Sequence, residues 1–220
     1  MIKTNFAVLM AERGLKIADV YEDTGISKTT LMALSENTGK GVQFDTVDKL
    51  CNYLDIDFKD FFVYVPYIWE MYFKENSEEV DSDYIVVKLK TKSTEKDYFL
   101  NVWARHPKGY DFPLDDDSFQ LWLSIDLEGS NAYDEEDFFT FLNNLPIAMK
   151  TAFYSQLLES LKINILKKDN TVTVFCDIRG RDDSHDTLTL NKRDKVYLAF
   201  FSNTYKPYVK SQENTKIITI

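Results

Sequence analysis

Cysteine and histidine are nearly missing from this 220-residue chain, which has two of each. Two cysteines cannot build the disulfide framework of a small secreted domain. Cys51 falls on the apolar stripe of a helical pattern, and Cys176 shares the apolar phase of Val172, Val174 and Ile178. Both read as small buried hydrophobes, and neither stands at zinc-ligand spacing from a histidine or the other cysteine. Apolar runs fall well short of the ~20 residues a membrane helix needs. Lys3, Asn5 and Glu12 frame a short apolar stretch that lacks the pattern of a secretory signal. A cytoplasmic protein without a membrane partner is expected. Basic charge is also in deficit, with 26 Lys and Arg against 36 Asp and Glu, net −10. Such a chain has no general affinity for polyanions, so any nucleic-acid contact has to be local.

Against that background, residues 15–41 carry the strongest pattern, LKIADVYEDTGISKTTLMALSENTGKG. They read as two short helices around a tight turn. Gly25 stands where the first helix stops and the backbone turns left-handed, and Ser27 is placed to cap the second. Val20 and Tyr21 before the turn, and Ile26, Leu31 and Leu34 after it, supply the small core between two crossed helices. Lys28, Thr29, Thr30, Met32 and Ala33 are left near the outward face.

The flanks extend the pattern. Phe6, Leu9 and Met10 precede Gly14 at helical spacing, and Val47, Leu50, Cys51 and Leu54 follow Asp45 in the same way. Asp45 is expected to cap that helix, with Asp48 favouring its positive end. A last helical turn over Asp57–Val63 offers Phe58, Phe61 and Phe62 as a lid.

With these residues in register, residues 4–65 resemble the Cro/repressor-type (XRE) helix-turn-helix family. The likeness runs beyond the turn into GVQFDTVDKLCNYLD at 41–55 and DFFVYV at 60–65. The resemblance implies an all-α five-helix domain that places its recognition helix in the major groove of double-stranded DNA as a homodimer. By matched position it implies Ser27, Lys28, Thr29, Thr30 and Ala33 on the recognition helix, and Lys16, Asn37 and Lys40 as phosphate contacts. Lys28 would donate to guanine, and a threonine methyl would meet a thymine methyl. Two positions depart from the family. Ile17 replaces a glutamine that ties to phosphate in many members, and the much larger Tyr21 replaces an alanine. The first removes a phosphate contact. The second implies a shifted helix crossing or a tyrosine hydroxyl at the surface. Residues 1–66 hold seven Lys or Arg against ten Asp or Glu, so a monomer should hold DNA weakly and dimerisation should matter. A helix-turn-helix kept only for packing would show the same turn, but Lys28 and Lys40 stand where contacts belong.

The domain boundary is expected within 66–83, where Pro66 ends the first domain, Tyr67, Trp69, Tyr72 and Phe73 form an aromatic stretch, and 75–83 is an acidic hinge. From 84 the period changes to strands over 84–91, 97–104 and 119–127, with a hairpin turn at 92–96. A helical pair follows, one helix capped by Asp134 and one opened by Pro146. Strands return at 164–166, 171–178, 187–190, 196–201 and 216–220. An α+β domain with a mainly antiparallel sheet is expected over 84–220.

Chemistry in this second domain is sparse. Asp182, Asp183, His185 and Asp186 form the densest polar cluster; they could ligate a metal in principle, but without a recognised ligand spacing they read first as a hairpin tip, and the sequence leaves metal binding there open. Asp115–Asp117 lacks the glycine and distal glutamate of a calcium loop. The acids of 128–137 suit the first turn of a helix, and His106 has no identifiable nucleophile partner. No self-cleaving Ser-Lys signature is recognisable, and neither an enzyme nor a cofactor is expected. The sequence supports a transcriptional regulator, with repressor and phage or mobile-element character coming from the resemblance alone. An alternative is an inhibitor or anti-defence protein whose acidic second domain, 26 acids to 19 bases over 67–220, binds a nucleic-acid enzyme while the helix-turn-helix controls its own gene. A third role is a small-molecule sensor, with Trp103, Trp122, Tyr110 and Tyr133 as candidate pocket aromatics.

Overall fold

The computed structural model describes residues 1–74, 83–107, 112–128, 132–166, 171–178, 181–201 and 215–219; 132–134, 173, 175–178 and 181–186 are described by their backbone. Its contacts divide the chain into two compact units, Met1–Ile68 with Asn144–Ser155, and Trp69–Asn143 with Gln156–Ile220.

The first unit begins with β1 (Ile2–Thr4) and continues through α1 (Phe6–Glu12), α2 (Ile17–Thr24), α3 (Lys28–Ser35), α4 (Phe44–Leu54) and the single turn α5 (Phe58–Phe61) to β2 (Phe62–Tyr64). The apolar stripes identified in the sequence close on one another. Phe6, Val20, Leu31, Leu50 and Phe61 are fully buried, joined by Leu9, Met10, Ile26, Leu34, Val47 and Leu54. At ~25 cal/mol per Å² of buried apolar surface, such a cluster is the main source of this unit's stability. Cys51 packs against its margin.

This unit is helical but not all-α. β1 pairs antiparallel with β2, Ile2 opposite Tyr64 and Thr4 opposite Phe62. Phe62 and Val63, expected in the last helical turn, therefore belong to a strand, because β1 offers their backbone groups a partner that a lone turn would lack. Only Phe61 is fully buried in the aromatic lid; Phe62 packs beside it and Phe58 is exposed. Pro66 accordingly follows a strand. The α4 N-cap is Gln43 rather than Asp45, which lies in the first turn and pairs with Lys49 at 3.2 Å. Tyr21, expected in the core, is 42% exposed.

The second unit is built on an eight-stranded sheet of β3 (Ile68–Lys74), β4 (Asp83–Lys90), β5 (Glu95–Arg105), β6 (Phe119–Leu127), β7 (Thr171–Ile178), β8 (Arg181–Thr189), β9 (Lys195–Phe200) and β10 (Thr215–Thr219). The main path runs β10-β9-β6-β5-β4-β3, while β7 joins β5 and carries β8. Antiparallel pairing dominates, but β6 runs parallel to β9 and β5 to β7, so the sheet is mixed. In β4, Ile85, Val86 and Val87 are all fully buried, the continuous pattern of a strand covered on both faces. The β6 alternation is overridden in the same way, since Ser124 and Asp126 on its polar phase are buried. Arg105 meets Ser124 with a 2.8 Å hydrogen bond and lies over Trp122.

Two helices, α6 (Ala132–Asn144) and α7 (Ile147–Asn164), supply the expected helical pair. Phe138 of α6 stacks at 5.1 Å on Tyr98 of β5, and Phe138 and Phe139 both meet Phe201. Three stretches differ from the sequence expectation. The segment 67–83, read as a linker, contains β3. The strand expected at 164–166 is instead the last residue of α7 and the turn after it, where Ile165 and Leu166 donate to the Leu161 carbonyl. The tip expected at 179–186 is largely β8, paired from Arg181 with β7.

Candidate nucleic-acid interface

The turn between α2 and α3 is built as its residues require. Gly25 closes α2 at φ 69° and donates its N–H to the Tyr21 carbonyl. A side chain there would be strained, whatever the free space around it. Ser27 caps α3 by accepting the Thr30 N–H at 3.2 Å, and its hydroxyl also meets the Thr30 hydroxyl at 2.9 Å. At the start of α2, the Asp19 carboxylate accepts the Lys16 backbone N–H at 2.7 Å, and Lys16 is exposed.

On α3, Lys28 and Thr29 are exposed while Thr30 and Ala33 are half-buried. Met32, not among the nominated contacts, is 48% exposed on the same helix. Thr30 spends its hydroxyl on Ser27, so it serves the cap. Lys40 lies exposed beyond α3.

Asn37 departs most from its expected role. Its backbone is left-handed at φ 56°, its Oδ1 accepts the Thr4 N–H at 2.6 Å, and its Nδ2 donates to the Thr4 carbonyl at 3.1 Å. Lys3 adds a bond from its ammonium to the Asn37 carbonyl, and partial burial lowers the Lys3 pKa. The Asn37 amide is thus occupied in holding β1, and a phosphate would have to compete with that pairing.

The charges sort in a way that composition conceals. Of the seven basic residues in 1–66, Arg13, Lys49 and Lys59 pair with Glu12, Asp45 and Asp57, and Lys3 is bound to Asn37. The remaining three, Lys16, Lys28 and Lys40, have no carboxylate partner among the described residues. They are the same three lysines that matched position nominates. The Lys28 ammonium instead lies over the Tyr21 ring, 5.0 Å from its centroid. Sequence reasoning missed this contact, although an aromatic residue where the family favours alanine was its signal.

Elsewhere the nominated features contribute less. Side chains of Asp182, Asp183, His185 and Asp186 lie outside those described, as do Tyr110 and the Tyr133 side chain. No group of three or more potential metal ligands gathers among the described residues. Asp116 accepts the Ser118 N–H at 2.8 Å in an exposed turn, and the Ser118 side chain first, then this backbone bond, lowers its pKa. Trp103 and Trp122 face Arg105. A groove of about 510 Å³ opens at a different place, between β3 and the second half of α7, lined by Trp69, Tyr72, Gln156 and Ile163 among others. No described helix is long and apolar enough to cross a membrane.

No curated protein and no solved structure matches the chain. Residues 68–220 match no family model, whereas residues 5–67 match that of the Cro/C1-type HTH DNA-binding domain, in agreement with the resemblance carried by the turn and its flanks.

Proposed function

We propose that this protein is a sequence-specific transcriptional regulator, a dimeric repressor of phage or mobile-element type, without enzymatic activity of its own. In this reading α3 enters the major groove, Lys28 donates to guanine O6 and N7, Thr29 offers its methyl to thymine, and Lys16 and Lys40 hold the flanking phosphates. The observation that carries it is the charge sorting. In a domain with more acids than bases, the lysines left without a carboxylate are the three in and beside the helix-turn-helix that matched position nominates.

Two or three phosphate contacts per protomer give weak binding, which is why the reading includes a dimer. Linking two half-sites raises affinity through effective concentration without any new contact. The second unit would supply that linkage, together with any effector or protein contact. The test is binding of an enriched duplex by the full chain across a salt series. Lys16→Ala and Lys40→Ala should each weaken binding evenly across sequences and flatten the salt slope by ~1. Unchanged slopes in both variants would remove these lysines from the interface.

A further inference from the structure

Tyr21 occupies the last turn of α2, facing the start of α3, yet it is 42% exposed while its neighbour Val20 is fully buried. Val20 and Leu31 already fill the crossing of the two helices, so a ring of this size is laid on the surface. Lys28 is the first residue of α3. Long side chains on a helix lean toward its N-terminus, and this one brings its ammonium to 5.0 Å from the Tyr21 centroid.

A ring face attracts a cation through its quadrupole and leaves the ammonium protons that point away from the ring available for acceptors. A carboxylate would have neutralised the charge and occupied those protons. Glu22 and Asp23 lie beside Tyr21 in the chain, yet among the described residues no carboxylate pairs with Lys28. The lysine is therefore restrained without being spent.

We infer that Tyr21 is a positioning residue for base reading. Its ring holds the Lys28 ammonium over the α2–α3 face, so that fewer rotamers are lost when that lysine meets a base edge. This rests on the DNA-binding reading above and assigns a role to the position where the chain departs most from its family's small residue.

The test uses the full chain, with Tyr21→Phe, which keeps the ring, and Tyr21→Leu, which removes it. Each is made with Lys28 intact and with Lys28→Met, and affinity is measured for the selected duplex and for single-base variants of it. A cation–π contact at an exposed site corresponds to about two- to fivefold in affinity. Tyr21→Leu should lose that factor, blunt discrimination at one base pair per half-site and leave the salt slope unchanged, while Tyr21→Phe behaves as wild type. In the Lys28→Met background Tyr21→Leu should cost nothing further. In the free protein, the Lys28 side-chain methylene protons should show an upfield ring-current shift that Tyr21→Leu abolishes. Equal losses in both backgrounds, or no ring-current shift in the wild type, would overturn the inference and leave the DNA-binding reading intact. Lys28→Met binding the selected duplex as tightly as wild type would overturn the inference together with the assignment of Lys28 to a base, and a wild type that selects no duplex would overturn the DNA-binding reading as well.

Discussion

Asn37 completes for Thr4 the pairing that a neighbouring strand would otherwise provide, accepting its N–H at 2.6 Å and donating to its carbonyl at 3.1 Å. The Thr4 hydroxyl, in turn, donates to the Leu34 carbonyl at 2.7 Å in a buried position. The end of α3 is thereby fastened to β1, and β1 to β2, where Val65 donates to the Met1 carbonyl. The helix proposed to read DNA is anchored at its far end by a three-residue strand.

Asn37→Ala should destabilise the helix-turn-helix unit by about 1–3 kcal/mol, because both Thr4 backbone groups lose a partner in a partly buried site. Asn37→Gly tests the other half of the residue's role. It accepts φ 56° without strain but should still be destabilised, since the amide is gone. Thermal or denaturant unfolding of the two variants reads the difference, and a wild-type midpoint for Asn37→Gly would show that backbone conformation alone had mattered.

Ser27→Ala removes the α3 cap and should cost ~1 kcal/mol. The Thr30 hydroxyl loses its partner as well. Amide hydrogen exchange should quicken first in the opening turn of α3, and a loss of protection confined to α4 would contradict this placement.

Lys28→Ala should reduce specific binding by about 1–3 kcal/mol while leaving the unfolding midpoint in place, since the residue is exposed and makes no ion pair in the described structure. Competition between the selected duplex and a scrambled one measures the effect. Equal weakening on both would reassign Lys28 to phosphate.

How far these features could be read in advance depended on how local they are. Gly25, Ser27, Leu31 and Leu34 announce the turn because each acts on its neighbours within a few residues. The β1–β2 pair did not announce itself, since three-residue strands have too few alternations to register and their partners lie some sixty positions apart. Asn37 reads as a surface asparagine until Thr4 is folded against it. In the second unit, Asn164 to Leu166 has the composition of a short strand, but α7 runs to Asn164 and the next two residues turn back onto the Leu161 carbonyl. The polar run 181–186 carries no strand pattern and is extended because β7 pairs with it. Ser124 and Asp126 alternate with the apolar residues of β6 and are buried all the same, since alternation does not sort a sheet covered on both faces.

Burial raises the Tyr154 pKa from its ordinary 10 to about 12. A phenol that ionises later in the folded than in the unfolded state contributes stability that is complete below pH ~10 and lost as pH rises through ~12. Alkaline unfolding should therefore steepen in that interval, and Tyr154→Phe should flatten it. Ultraviolet titration of the native chain should show one tyrosine fewer in the late-ionising group once Tyr154 is replaced. Loss of that tyrosine from the group ionising near 10 instead would contradict its burial.

Cys51 should resist alkylation at neutral pH in the folded chain, because burial first, and then the charges of Asp48, Asp57 and Asp60, push its thiol pKa up. Peptide-resolved labelling should show Cys51 modified slowly without denaturant and rapidly with it. Fast labelling of the native protein would contradict its place at the core margin.

Selection from a random duplex library by the full chain at moderate salt, followed by a salt titration on the recovered site, tests the central claim most directly. The account predicts an inverted repeat whose half-sites are about one helical turn or a multiple of it apart, bound with an affinity that falls steeply with salt. Recovery of no sequence by a properly folded chain, or of one whose binding ignores salt, would contradict it.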